Sequence, residues 1–172
     1  NPFTYDIYMS DFDLDLYNDG ENDFVSGYAV VNNSGSYDYR TIEPIKVGEG
    51  FFVKALSSTA IAYAPASKKR SENKSNNSLN ITATGNAGKD NVVINFAGKS
   101  EGFNKLQNFN DAIATVYVAE DGKNYGIYNC DADVQEIELN FNANQMGNYT
   151  ISIEPNGKFQ TVTLVDRFTG IE

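Results

Sequence analysis

The sequence predicts an all-β protein, folded as an antiparallel β-sandwich of the jelly-roll or immunoglobulin-like kind. Apolar and polar residues alternate along most of the chain, as in residues 134–141, where Ile137, Leu139 and Phe141 share one face. Alternate side chains of a strand point to opposite faces, so this pattern indicates sheets with one buried face. The 11 tyrosines and 11 phenylalanines among the 172 residues also favour strands.

Turn signals separate the alternating segments. Asp19-Gly20, Asp121-Gly122 and Asn156-Gly157 are typical of two-residue hairpins, because Asp or Asn followed by Gly tolerates positive φ angles. In chain order, the predicted strands are residues 4–9, 24–31, 37–42, 50–55, 59–64, 78–84, 91–96, 114–119, 123–129, 134–141, 148–154 and 161–165. Residues 103–113 have apolar residues near helical spacing and are predicted to form one or two helical turns.

A basic segment divides the chain into two β blocks. Residues 65–78 contain four basic residues and one acidic residue, with no apolar side chain larger than alanine apart from the prolyl ring. We expect an exposed loop here, with a β-rich block at 1–64, the end of a truncated sandwich, and a β-sandwich block at 79–172. The sequence leaves open whether the two blocks form one core or two.

Composition narrows the classes of function. The net charge of −10 opposes binding to nucleic acid, and no apolar stretch is long enough to cross a membrane. The chain has no histidine, the commonest general base, and its lone Cys130 follows a predicted strand, as expected for a buried small hydrophobe. We therefore expect a protein that is not an enzyme and that holds no obligatory cofactor.

An acidic cluster near the amino terminus is a candidate calcium site. Asp11, Asp13 and Asp15 follow the spacing of the first ligands of an EF-hand, and Ca²⁺ prefers such oxygen ligands. The glycine that an EF-hand needs at its sixth position is Leu16, which excludes that motif. Two interpretations of this cluster remain open: the residues form an irregular calcium site, or they line the solvent face of an ordinary strand.

Two tyrosines are candidate ligand contacts. Tyr37 and Tyr39 alternate with charged residues just after the loop at 32–36, so we expect their rings to be exposed. Exposed aromatic rings stack on sugars or fill pockets on partner proteins.

Several short segments carry a resemblance to a known family. Residues 48–55 (GEGFFVKA), 79–86 (LNITATGN) and 162–170 (VTLVDRFTG) occur in this order, after Asn1-Pro2-Phe3. They resemble the "GQGFFVKA", "LRLTATGN" and "VYLEDKLTG" segments of the C-terminal β-sandwich region of secreted and cell-surface multidomain proteins of Bacteroidetes. The resemblance implies display, secretion or adhesion, and it defines no catalytic residues. Relatives often continue past the "TG", so we expect this chain to be a fragment.

These observations lead to two expectations about function. The first is a non-catalytic module of an exported bacterial surface protein, serving adhesion, assembly or display, located outside the cell or on its surface. The alternative is a carbohydrate-binding module, assisted by calcium. In either case we expect a protein or glycan partner, and an open sheet edge that could pair with a partner strand.

Overall fold

The computed structural model describes residues 1–2, 4–13, 23–57, 62–63, 77–167 and 169–170. In these residues the protein is all-β, as predicted, with one short 3₁₀ helix at Met9–Asp11. The strands are β1 Phe12–Asp13, β2 Tyr28–Val31, β3 Tyr37–Arg40, β4 Ala62–Tyr63, β5 Ser78–Gly85, β6 Gly88–Asn95, β7 Ser100–Asn104, β8 Thr115–Glu120, β9 Lys123–Asn129, β10 Leu139–Asn142 and β11 Thr150–Asn156. No helix among these residues is long and apolar enough to cross a membrane.

The main sheet has seven strands in the order β10-β8-β9-β6-β5-β11, with β7 also paired to β9. Its ladders are antiparallel apart from β6 and β9, which run parallel from Val93↔Ile127 to Asn95↔Asn129. The sheet is therefore mixed: it is mostly antiparallel, as expected, with one parallel ladder. Two small antiparallel sheets, β1-β4 and β2-β3, complete the described strands.

Hairpin turns follow the predicted signals in part. Asp121-Gly122 joins β8 to β9, and both residues have positive φ angles, 51° and 75°, as a type I′ turn requires. Asn156-Gly157 ends β11, but no strand returns from it, because Lys158 N instead donates to Asn77 Oδ1 at 2.9 Å. The Asp19-Gly20 signal lies outside the described residues.

The central strand β6 is buried on both faces. On one face, Val92 and Ile94 pack in a cluster with residues of β5 and β8. On the other face, Val93 packs with Phe103 and Ile127 against residues from β2 and β3. The small β2-β3 sheet thus shares a core cluster with the main sheet, so the described parts of the two predicted blocks pack directly together.

The first block has less regular structure than its alternation predicts. A third cluster holds Ile7, Met9, Phe12, Tyr28, Val30 and Ile45. The segments predicted as strands at 4–9 and 50–55 contribute only isolated bridges, such as Ile7↔Ile45 and Ala29↔Phe52. The Asp11 carboxylate accepts a hydrogen bond from Tyr8 N at 2.8 Å, which stabilises a 3₁₀ turn where an extended strand would otherwise continue.

Four further expectations need correction or lie beyond the described residues. No helix forms within 103–113, because Phe103 belongs to β7 and the rest is an irregular loop. Residues 134–141 pair only from Leu139 onward, and 161–165 form no strand, although Val162 still packs on the sheet. Of the predicted basic loop 65–78, the structure describes only Asn77 and Ser78.

Candidate functional site

The two tyrosines predicted to be exposed are buried. Tyr37 is 6% exposed and Tyr39 1% exposed, so the predicted exposure is wrong for both rings. Both lie on the face of β3 that packs on the main sheet. Asp38 and Arg40, which alternate with the tyrosines, lie on the other face. The predicted alternation is correct, but the prediction assigned the tyrosines to the wrong face. In an alternating strand the charged residues usually face solvent, so the tyrosines face the core.

An aromatic patch lies beside Tyr37 instead. We use this name for the exposed side chains of Val31, Phe52 and Phe109, with Tyr37 beneath them. The Phe52 and Phe109 rings lie 5.8 and 5.6 Å from the Tyr37 ring, centroid to centroid. Phe109 is 70% exposed and Phe52 46% exposed. Within this patch, Phe52 and Phe109, which the sequence analysis did not single out, are therefore the rings available to a partner.

Phe109 is carried by the loop at 105–114, which is fixed by a buried ion pair. Lys105 Nζ lies 2.7 Å from Asp90 Oδ2, and both side chains are almost fully buried. Asp90 also accepts hydrogen bonds from Val116 N at 2.8 Å and from the Ser36 hydroxyl at 3.1 Å. A buried carboxylate needs this many donors because it has lost its hydration.

Lys105 is held by three different contacts. Besides Asp90, its ammonium donates to the carbonyl oxygen of Asn91 at 2.6 Å and lies 4.5 Å from the centroid of the Tyr39 ring. Burial lowers the pKa of Lys105 to about 8, against the opposing effect of Asp90, which favours the charged form. This cation is thus engaged within the protein and is not presented to a ligand.

Tyr39 fixes the same loop from below. Its hydroxyl accepts a hydrogen bond from Leu106 N at 2.6 Å, and burial raises its pKa. Its backbone is tied to the Asn91 side chain, whose Oδ1 accepts from Tyr39 N at 2.9 Å and whose Nδ2 donates to Tyr39 O at 3.0 Å. The residue predicted as a ligand contact is therefore a structural support.

A polar cavity of about 320 Å³ opens on the other side of the 105–114 loop. Its lining includes five amide side chains: Gln107, Asn108, Asn124, Asn142 and Asn144. Strands β8, β9 and β10 supply its floor, with Thr115 and Tyr117 projecting from β8. Its volume lies at the lower end of the range of about 300–1,000 Å³ typical of small-molecule sites.

Asn108 is the most deeply buried amide of this cavity. Its Oδ1 accepts a hydrogen bond from the Ser36 hydroxyl at 2.9 Å, while its Nδ2 is buried and has no hydrogen-bond partner among the described residues. An unsatisfied buried donor costs about 1–3 kcal/mol, so the Asn108 amide closes the inner wall of the cavity at a cost in stability and is not open to a ligand. Nothing in the sequence distinguishes Asn108 from the many other asparagines.

The predicted calcium ligands are only partly described. Asp11 ends the 3₁₀ helix, and its carboxylate accepts from Tyr8 N. The Asp13 side chain and the whole of Asp15 lie outside the described residues. Among the described side chains, no group of three or more acidic, histidine or cysteine residues could hold a metal ion. The calcium site stays a prediction.

No protein-family model, curated protein or solved structure matches this chain.

Proposed function

We propose that this chain is a non-catalytic binding module of an exported bacterial surface protein of the Bacteroidetes type, serving adhesion or assembly. The observation that supports it is the aromatic patch, in which Phe109 and Phe52 stand exposed around a buried Tyr37. In this proposal the fold is a sandwich, with the β2-β3 sheet as the layer that faces the main sheet across Val93 and Ile127.

The patch has the features of the centre of a protein interface. Aromatic side chains in the middle of an interface contribute most of the binding energy. Phe109 is positioned before any partner arrives, because its backbone N–H donates to Gly35 O at 2.8 Å and its ring lies against Tyr37. A pre-positioned ring loses less conformational entropy when it becomes buried.

The charge of the chain indicates what kind of partner fits the patch. The net charge of −10 gives the protein a negative field, which favours a partner whose contact surface is apolar at its centre and basic at its rim. We therefore propose a basic surface protein or matrix protein as the partner. An edge of the main sheet offers a second route, since β11 pairs only with β5 among the described residues.

Removal of the two exposed rings tests this function. The chain would be immobilised, a partner isolated from a Bacteroidetes cell-surface fraction, and the dissociation constant measured with the purified partner. We expect Phe52→Ser with Phe109→Ser to weaken binding by about 30-fold or more, since two interface aromatics contribute at least about 2 kcal/mol. Phe141→Ser is the matched control, because Phe141 is 41% exposed and lies on β10, outside the patch.

Two results would contradict the proposal. One is that no purified surface or matrix protein binds the folded chain. The other is that the double variant and the Phe141→Ser control bind equally well. The proposed location has its own test: protease treatment of intact cells should release peptides of this chain.

A further inference from the structure

The amide-lined cavity beneath the 105–114 loop is distinct from the aromatic patch. Asn108, on its inner wall, is 9% exposed, and its Oδ1 accepts from the Ser36 hydroxyl. Its Nδ2 is buried without a partner among the described residues and is closed off from the cavity. The amides that a ligand can reach are therefore those at exposed positions of the lining, such as Asn124 and Asn142.

The lining indicates the chemistry of a ligand. An amide both donates and accepts hydrogen bonds, as a sugar hydroxyl does, and the cavity presents Asn124, Asn142 and Asn144. Tyr117 adds an aromatic ring to the lining, and such a ring can stack on the apolar face of a pyranose. A set of this kind fits a polyhydroxylated ligand better than an apolar one.

The charges of the lining argue against an acidic ligand. Asp111 contributes a carboxylate, and the one cation of the lining, Lys105, is engaged by Asp90 at 2.7 Å. An anion would therefore meet a negative group with no available positive one. The ligand that remains is neutral.

The site is also rigid before a ligand binds. The cavity floor is held by ladder pairs Asn142↔Thr115 and Asn140↔Tyr117 between β10 and β8. The loop above is tied down by the Asp90–Lys105 ion pair and by the hydrogen bond from Leu106 N to the Tyr39 hydroxyl. Little ordering is needed on binding, which favours recognition of a small ligand.

We propose that this cavity binds one neutral sugar residue, with the Asn124 and Asn142 amides on its hydroxyl groups and Tyr117 against the sugar ring. The volume of about 320 Å³ accommodates a single residue rather than an oligosaccharide. The ligand is thus the end or a branch of a glycan.

The test uses the whole chain and a panel of free sugars, namely glucose, galactose, mannose, N-acetylglucosamine and galacturonic acid, monitored by ligand-observed NMR and titration calorimetry. We expect at least one neutral sugar to bind and galacturonic acid to bind more weakly than galactose. Asn124→Ala removes a reachable amide at an exposed position of the lining, so it should weaken binding about tenfold. Asn142→Ala, at an exposed position of the lining, should weaken binding without loss of the fold.

Phe109→Ala is the matched control, because Phe109 lies on the same loop but does not line the cavity. Its sugar affinity should equal that of the parent chain. The proposal is overturned if no neutral sugar binds, or if sugar binding survives both Asn124→Ala and Asn142→Ala unchanged. Since the protein-partner experiment depends on Phe52 and Phe109 instead, either proposal can fail while the other stands.

Discussion

Lys105 and Asp90 form an ion pair in the interior of the protein, with Nζ and Oδ2 2.7 Å apart. The pair joins β6 to the loop at 105–114, and that loop carries Phe109 on one side and lines the amide-rich cavity on the other. Both proposed contact surfaces therefore depend on one electrostatic contact.

Breaking this pair should destabilise the protein strongly. Lys105→Met leaves the Asp90 carboxylate buried without its cation, and we expect a loss of about 3–5 kcal/mol in the free energy of unfolding. Urea unfolding followed by circular dichroism measures it. Lys99→Met is the matched control, because Lys99 pairs with Glu120 at the surface and should change stability little. Equal losses in the free energy of unfolding for the two variants would show that the buried pair stabilises the protein no more than the surface pair does.

Alkaline pH should unfold the protein through Tyr28. Burial raises the pKa of Tyr28 from 10.0 to about 12. Between these values the unfolded chain loses its phenolic proton while the folded chain keeps it, so the contribution to stability is full below pH 10 and is lost as pH rises towards 12. Urea midpoints measured at stepped pH should fall across this window.

Tyr28→Phe provides the comparison for that titration. The variant loses the hydrogen bond from the Tyr28 hydroxyl to Glu43 O at 2.9 Å, so it should be less stable at neutral pH. Its stability should nevertheless decline less steeply above pH 10 than that of the parent chain. Identical pH profiles would contradict the assignment to Tyr28.

Cys130 should be inert towards thiol reagents in the folded state. It is 3% exposed, as predicted for a buried small hydrophobe, and burial raises its pKa to about 11. A buried, protonated thiol is a poor nucleophile. We expect labelling by a disulfide reagent to be slow in buffer and complete within seconds in denaturant. Rapid labelling without denaturant would mean that this region opens readily.

The Asp121-Gly122 turn should favour glycine at its second position. Gly122 has a φ angle of 75°, and an added Cβ would meet no atom within 4 Å, so any cost is backbone strain alone. Gly122→Ala should lower the free energy of unfolding by about 1 kcal/mol. Gly50→Ala is the control, since Gly50 has the same open space without a positive φ angle. If both variants are equally stable, the turn is not of the type I′ form.

Much of the main sheet could be predicted from local sequence. The strands β5, β6, β8, β9 and β11 lie where alternation predicted them, because their apolar side chains pack on neighbouring elements and period-two patterns report that packing directly. The Asp121-Gly122 hairpin could also be predicted from the sequence, since its positive φ angles restrict the residue types.

The candidate sites could not be predicted in the same way. Phe109 falls near helical spacing with Phe103, yet one side chain is 70% exposed and the other 4%. The amide-lined cavity forms only because the 105–114 loop folds over strands that bring Asn124 and Asn142 to its lining. Contacts at such sequence separation have no local signature.

The sequence by itself determined the all-β class, the main strands of the central sheet and the β8-β9 turn, because these depend on side-chain periodicity and on φ angles of single residues. Only the tertiary structure decided that Tyr37 and Tyr39 point inward and that β6 and β9 run parallel. It also brought Asp90, Lys105 and Ser36 together in the interior. The physical reason is that burial and pairing are properties of neighbours in space, which alternation along one strand does not specify.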